Sequence, residues 1–190
     1  MRIGIFGGSF NPPHKKHKNI AIELIQKNYI DKIIYVPTGN KYNKKDLIKA
    51  KYRLKMLEIM TKNNNQMSVS NYEVKKSLTY TYQTLDYFKS IYPNDEIYFI
   101  CGSDNLKNIT TWKNYKYILN NYKLLVIKGN NDNITNIVKD LNNNIIIPEI
   151  NFENISSTDI RNDLKLGKDN PNIDKDILQY IKKEKLYIEW

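Results

Sequence analysis

Apolar positions along the chain gather into short, β-branched runs separated by stretches of helical period. Ile3 to Phe6, Ile33 to Val36, Met67 to Ser70, Ile97 to Cys101, Leu124 to Ile127 and Ile145 to Ile147 read as strands, because brief apolar runs bounded by polar turns suit a sheet buried on both faces. Helices are predicted between them, near His17 to Asn28, Ala50 to Lys62, Thr81 to Tyr92 and Asn133 to Leu141. The Asn-rich stretches Asn63 to Gln66 and Gly129 to Asn133 read as polar loops. Beyond Arg161 a short helix continues through Asn162 to Leu166 until Gly167 stops it, and Ile173 to Lys183 forms a last one, a small C-terminal helical segment. This alternation predicts an α/β fold, a doubly wound parallel sheet with ligands bound beyond the carboxyl ends of the strands at the switch point. The 190 residues suffice for one substantial core, and residues 1–190 read as a single domain.

The first strand breaks into Gly7-Gly8-Ser9-Phe10-Asn11-Pro12-Pro13-His14-Lys15-Lys16-His17. Two glycines without a Cβ allow a sharp turn that brings backbone N–H groups against an anion. Pro12 and Pro13 then hold the loop extended, and the pattern of Ile20, Ile22, Leu24 and Ile25 starts a helix near His17. His14 and His17 therefore stand at a helix N-terminus, where the dipole favours negative charge. A zinc pair and solvated loop histidines are the competing readings. No third ligand is near in sequence and the Gly-Gly turn suits phosphate, so no metal held by the protein is expected.

Composition changes the picture little. Hydrophobic residues are 41% and charged ones 26%, ordinary for a globular protein, and no apolar segment approaches a membrane span. No signal peptide is expected, since the first strand is short and runs straight into the glycine loop. The net charge of +10 invites a nucleic-acid partner, but it is lysine scattered along an Asn-, Ile- and Tyr-rich chain, the mark of an AT-rich coding bias, and nucleic acid is not expected. Only Arg2, Arg53 and Arg161 are arginines, each a place where a bidentate fork is required or where codon chance left it. The single cysteine, Cys101, excludes an intrachain disulfide and a Cys-rich metal site, which predicts a reducing, cytoplasmic setting.

The loop GGSFNPPHKKH resembles the signature GGSFxPxHxGH of the nucleotidyltransferase superfamily, in particular of nicotinate-nucleotide adenylyltransferases. Three further segments agree in order: Tyr80-Thr81-Tyr82-Gln83-Thr84-Leu85 resembles SYTxxTL, Gly102-Ser103-Asp104 with Trp112 eight residues on resembles GxD…W, and Ile155 to Arg161 resembles ISSTxIR. The resemblance spans Arg2 to about Arg161 and implies a Rossmann-like sheet of the nucleotidyltransferase type. It implies adenylyl transfer from ATP to nicotinate mononucleotide, with nicotinamide mononucleotide as a second substrate and Mg²⁺ held mainly by the ATP phosphates. His17 is then the main transition-state donor, His14 a phosphate contact, and Arg161 a grip on the triphosphate. Gly7, Gly8, Ser9, Phe10, Ser157 and Thr158 face ATP or its phosphates, with Gly102 and Asp104 beside them. Trp112 stacks on the pyridine ring, with Thr84, Tyr82 and Lys44 as further mononucleotide contacts.

Plainer alternatives stand beside these roles. Ser157, Thr158 and Arg161 also read as a helix cap followed by a solvated arginine, Asp104 as a cap of the next helix, Trp112 as core, and Arg53 as half of a structural salt bridge. Lys16 occupies a position usually held by glycine in the family; its side chain either blocks the approach of ATP or points outward and adds a cation to the phosphates. Tyr42-Asn43-Lys44-Lys45 does not match the family's PPHK-like segment. Rival readings are a pantetheine-phosphate adenylyltransferase-like enzyme, a cytidylyltransferase, or a non-catalytic nucleotide or RNA binder; Trp112 and the ISSTDIR form favour the pyridine nucleotide.

Overall fold

The centre of the fold is β1 (Arg2–Gly8), a strand so enclosed that a Cβ at Gly4 would lie 2.6 Å from Ile100 Cδ1 and 2.8 Å from Ile30 Cδ1. The computed structural model describes residues 1–41, 46–76, 78–129, 134–141 and 144–188. After β1 come α1 (Lys15–Gln26), β2 (Lys32–Pro37), α2 (Ala50–Thr61), β3 (Met67–Val69), α3 (Tyr72–Lys75) and α4 (Thr81–Ile91). Then follow β4 (Glu96–Gly102), α5 (Ser103–Lys107), a 3-10 turn (Ile109–Thr111), α6 (Tyr115–Asn121), β5 (Lys123–Ile127), α7 (Thr135–Leu141) and β6 (Ile145–Ile146). The chain closes with α8 (Ser157–Lys165) and α9 (Lys175–Lys183).

The strands form one parallel sheet in the order β3-β2-β1-β4-β5-β6. Its order reverses between β1 and β4, which puts the topological switch point beyond Gly8 and Gly102, where a doubly wound sheet binds ligands. Side chains alternate across the sheet. Phe6, Ile33, Tyr35, Tyr98, Ile100 and Leu125 pack on one face against Leu24 of α1, Met56 of α2, Ile160 of α8 and Ile177 of α9. Ile3, Ile5, Ile34, Phe99, Cys101 and Val126 pack on the other against Leu85 and Phe88 of α4 and Ile118 of α6. Each such side chain stabilises the fold by about 1.5–3 kcal/mol, which is why both faces of the strands are apolar. Burial pushes the Cys101 thiol up to about 12, so it is chemically quiet in its strand.

Several boundaries differ from the sequence expectation for local reasons. Gly7 and Gly8 do not turn the chain; both lie in β1, paired with Val36 and Pro37, and the left-handed residue is Phe10 (φ 44). α1 starts at Lys15 because His14, extended at φ −147 and ψ 173, already serves as its N-cap. α8 begins at Ser157, ahead of Arg161, and ends before Gly167, whose φ of +70 gives the expected left-handed stop. α3 and α6 were not predicted, being too short to show a helical period. Among the described residues no helix is long and apolar enough to cross a membrane.

Candidate active site

The first half of the site is the start of α1. His14 donates its backbone N–H to Nδ1 of His17 at 3.2 Å, so a neutral His17 carries its proton on Nε2. The His17 N–H donates to the His14 carbonyl at 2.9 Å, and the two rings lie 3.9 Å apart between centroids. An aromatic wall fixes this turn: Phe10 meets His17 edge-on at 5.0 Å, Phe6 stands 5.9 Å away, and the buried Tyr35 donates its hydroxyl to the His17 carbonyl at 3.0 Å. Gly8 is needed for close approach, since a Cβ there would lie 3.1 Å from the Phe10 ring. Phe10 is 2% exposed, and its packing offsets a left-handed backbone that is uncommon in a bulky residue. Burial, with Lys16 adding to it, lowers His14 to about 4. Burial, His14 and Lys16 together hold the half-buried His17 well below the ordinary histidine value. Both imidazoles are neutral at pH 7.

The second half is the start of α8. Ser156 is its N-cap, accepting the Asp159 N–H at 3.4 Å, so the cap expected of Ser157 and Thr158 falls one residue earlier. The Ser157 hydroxyl lies 3.0 Å from Nε2 of His14. Arg161 is half-buried and not merely solvated: Nη1 donates to the carbonyls of Asn11 (3.0 Å) and Ser157 (3.1 Å), and Nη2 to the Thr158 hydroxyl (3.3 Å). The N-termini of α1 and α8 thus meet, gathering imidazole, hydroxyl and guanidinium groups between two positive dipole ends. Lys16 points to the segment preceding α8, with Nζ 4.9 Å from the Phe152 ring centre and 3.4 Å from Asn154 Oδ1. Burial lowers its pKa, and Asp104 opposes the shift.

Beyond β4 the backbone opens. A Cβ on Gly102 would meet nothing within 4 Å, and Gly102 itself caps α5. The Asp104 side chain is 91% exposed, 3.4 Å from Lys107 Nζ, and makes no helix cap. Ser103 is buried and accepts the Gly129 N–H at 3.4 Å, tying this turn to the end of β5. Trp112 is half-buried, edge-on to Phe99 at 5.9 Å, and the same Phe99 ring lies 3.5 Å from where a Gly7 Cβ would be. Gly7 and Trp112 therefore share one aromatic neighbour at the switch point.

Thr84 and Tyr82 stand apart from the imidazoles. Thr84 is 3% exposed and donates its hydroxyl to the Glu73 carboxylate at 2.7 Å; burial pushes Glu73 up to about 7 against that bond. Tyr82 lies between Tyr80 (6.3 Å) and Tyr117 (6.4 Å). Lys44 and its neighbours 42–45 lie outside the described residues.

Arg53 corrects the expected salt bridge. Its fully buried guanidinium binds carbonyls: Nε to Ile48 (3.0 Å), Nη1 to Ser9 (2.8 Å) and Nη2 to Thr38 (2.6 Å), with the Thr38 hydroxyl at 3.3 Å. Burial lowers its pKa to about 10, and it stitches the turns after β1 and β2 together. Asn11, the variable position of the first motif, was passed over by sequence reasoning, although a polar residue between Phe10 and two prolines invites a search for partners. Among the described residues, no group of three His, Cys, Asp or Glu side chains is placed to hold a metal ion.

Residues 5–163 match the family model described as cytidylyltransferase-like. A Fusobacterium nucleatum protein named "probable nicotinate-nucleotide adenylyltransferase" is 40% identical, covering 97% of this chain and 98% of that protein. One of the same name from Endomicrobium trichonymphae is 38% identical, covering 98% of each. The fold is that of the Plasmodium falciparum nicotinic acid mononucleotide adenylyltransferase solved with NaAD, at a TM-score of 0.81 and 23% identity over 98% of this chain and 97% of that one. With its motifs, sheet order and near full-length relatives in agreement, this chain belongs to the nicotinate-nucleotide adenylyltransferase family of cytidylyltransferase-like proteins.

Proposed function

We propose that the protein transfers the adenylyl group of ATP to nicotinate mononucleotide, giving nicotinate adenine dinucleotide and pyrophosphate in NAD biosynthesis. The observation that carries this reading is the 3.0 Å contact of His14 with Ser157, which joins two helix N-termini into one anion site in a chain of this family. A 5′-phosphate oxygen of the mononucleotide attacks the α-phosphorus of ATP, a P–O bond forms there, and the bond to the departing pyrophosphate breaks. No covalent nucleophile is needed, because the phosphate is itself one; the protein aligns the two substrates and stabilises charge on the transferring group.

The neutral His17 donates its Nε2 proton as a hydrogen bond to that group, while His14 and Ser157 contact phosphate oxygens. Arg161, already anchored through Nη1 and Nη2, grips the triphosphate with its remaining donors. Ser9, Phe10 and Thr158 complete the ATP side, and Asp104 accepts from ribose hydroxyls beside the open backbone of Gly102. Trp112 stacks on the pyridine ring, with Tyr82 and Lys44 as further mononucleotide contacts and nicotinamide mononucleotide as a second substrate; Thr84, buried with its hydroxyl donated to Glu73, contacts the mononucleotide only if that bond gives way. Mg²⁺, carried on the triphosphate, neutralises phosphate charge when bound. The imidazole, hydroxyl and guanidinium groups gathered here suit phosphate oxygens rather than a hard cation. We take residues 1–190 to act as one domain, and the buried, unpaired Cys101 supports a cytoplasmic setting.

The test is incubation of the full chain with ATP, Mg²⁺ and nicotinate mononucleotide, with chromatographic detection of the dinucleotide. Equimolar dinucleotide and pyrophosphate are expected. Turnover of pantetheine phosphate with neither pyridine mononucleotide accepted would overturn the substrate, and absence of pyrophosphate with every acceptor would make the protein a binder.

A further inference from the structure

Asn11 stands in the loop between β1 and α1 and is 2% exposed, so each of its polar atoms needs a partner within the protein. Its Nδ2 donates to the Asp46 carbonyl at 2.7 Å. Its Oδ1 accepts the Tyr187 hydroxyl at 2.9 Å and the Ile48 N–H at 3.4 Å. Its own carbonyl accepts Nη1 of Arg161 at 3.0 Å. One buried side chain thereby joins the β1 loop, the segment entering α2, and the tail that follows α9, while its backbone holds the arginine.

Tyr187 reaches this junction from near the far end of the chain. Beyond α9 the backbone passes through left-handed conformations at Lys185 (φ 51) and Tyr187 (φ 64), with Leu186 buried in the core between them. A tail needed only for its apolar contact would be satisfied by Leu186. The Tyr187 hydroxyl adds a hydrogen bond to the side chain of Asn11, whose own carbonyl is one of the acceptors that hold Arg161.

We propose that Tyr187 is a positioning residue: its hydroxyl fixes Asn11, the Asn11 carbonyl fixes the Arg161 guanidinium, and ATP binding depends on the C-terminal tail through that chain of contacts. This rests on the adenylyl-transfer reading in taking the ligand of Arg161 to be a triphosphate.

Tyr187→Phe keeps the ring and its packing and removes one hydroxyl. The experiment measures binding of α,β-methylene-ATP by calorimetry, together with thermal unfolding, for wild type, Tyr187→Phe, Arg161→Lys and the double variant. Tyr187→Phe should weaken binding about threefold to tenfold, the scale of one hydrogen bond, with Tm lowered by no more than roughly 4 °C. In the Arg161→Lys background the same change should cost less than about twofold, because residues acting through one contact do not add. Wild-type affinity in Tyr187→Phe, or an undiminished loss in the double variant, overturns the proposal. A Tm that collapses with affinity unchanged makes Tyr187 a structural strut and overturns it too. Product formation by the wild type tests the adenylyl-transfer reading separately, and failure of the wild type to bind the analogue removes both.

Discussion

The imidazole of His14 and the hydroxyl of Ser157 lie 3.0 Å apart although 143 residues separate them in sequence. Among the described residues Nδ1 of His14 is buried without a hydrogen-bond partner, so the serine supplies the ring's hydrogen bond beside its stacking on His17. Ser157→Ala should therefore lower kcat about tenfold and destabilise the protein by about 1 kcal/mol, the usual net value of such a bond. Steady-state kinetics and urea unfolding check both numbers.

His17→Ala should leave the fold intact and reduce turnover by about 10² to 10³, the loss typical of one preorganised donor. The aromatic wall and the α1 core contacts survive the change, which separates chemistry from stability. Circular dichroism with single-turnover rates makes the comparison; unchanged turnover removes His17 from the mechanism.

Acid should act through the same two rings. Folding holds His14 at about 4 and His17 also below the unfolded value of about 6.5, so below pH 6.5 the unfolded chain binds more protons than the folded one. Their contribution is fully present above pH 6.5 and is lost as pH falls toward 4, with roughly 3 kcal/mol from His14 alone. Glu73, raised by burial to about 7, shifts stability the opposite way over the same range, so the imidazole contribution is read as the difference between wild type and His14→Gln in denaturant melts at pH 7.5, 6 and 4.5, which should shrink in that order. A bound triphosphate favours the protonated rings, so ATP binding near pH 6 should take up protons, visible as a buffer-dependent enthalpy in calorimetry.

Trp112→Ala should raise the Michaelis constant for the mononucleotide about tenfold or more while sparing that for ATP, since stacking touches only the pyridine ring. The half-buried indole keeps one edge on Phe99, so some loss of stability accompanies the change. A defect confined to ATP would return Trp112 to the core.

Arg53→Lys should cost about 2–4 kcal/mol of stability, because a lysine cannot serve the Ser9, Thr38 and Ile48 carbonyls at once and leaves buried acceptors unpaired. Urea titration reads the loss directly; a variant within about 0.5 kcal/mol of wild type would show that water replaces the fork.

Among the described residues the sequence period was enough to locate the six strands of the sheet, because each is short, apolar and bounded by turns. The His14, His17 and Ser157 cluster was legible because those residue types sit in recurrent segments. Illegible features were those created by folding. The turn assigned to Gly7 and Gly8 belongs to Phe10, since what the glycine at position 8 provides is room for a ring that arrives two residues later. Arg53 looks like any helix-face arginine until three carbonyls converge on it. Asn11 and Tyr187 are 176 residues apart, and no local pattern links them.

The site draws its two halves from opposite ends of the chain. The His14 and His17 turn precedes β2, whereas the Ser157 hydroxyl and the Arg161 fork that face it lie beyond β6. A chain truncated before α8 should thus keep every strand of the sheet and lose the half of the cluster that faces His14 and His17.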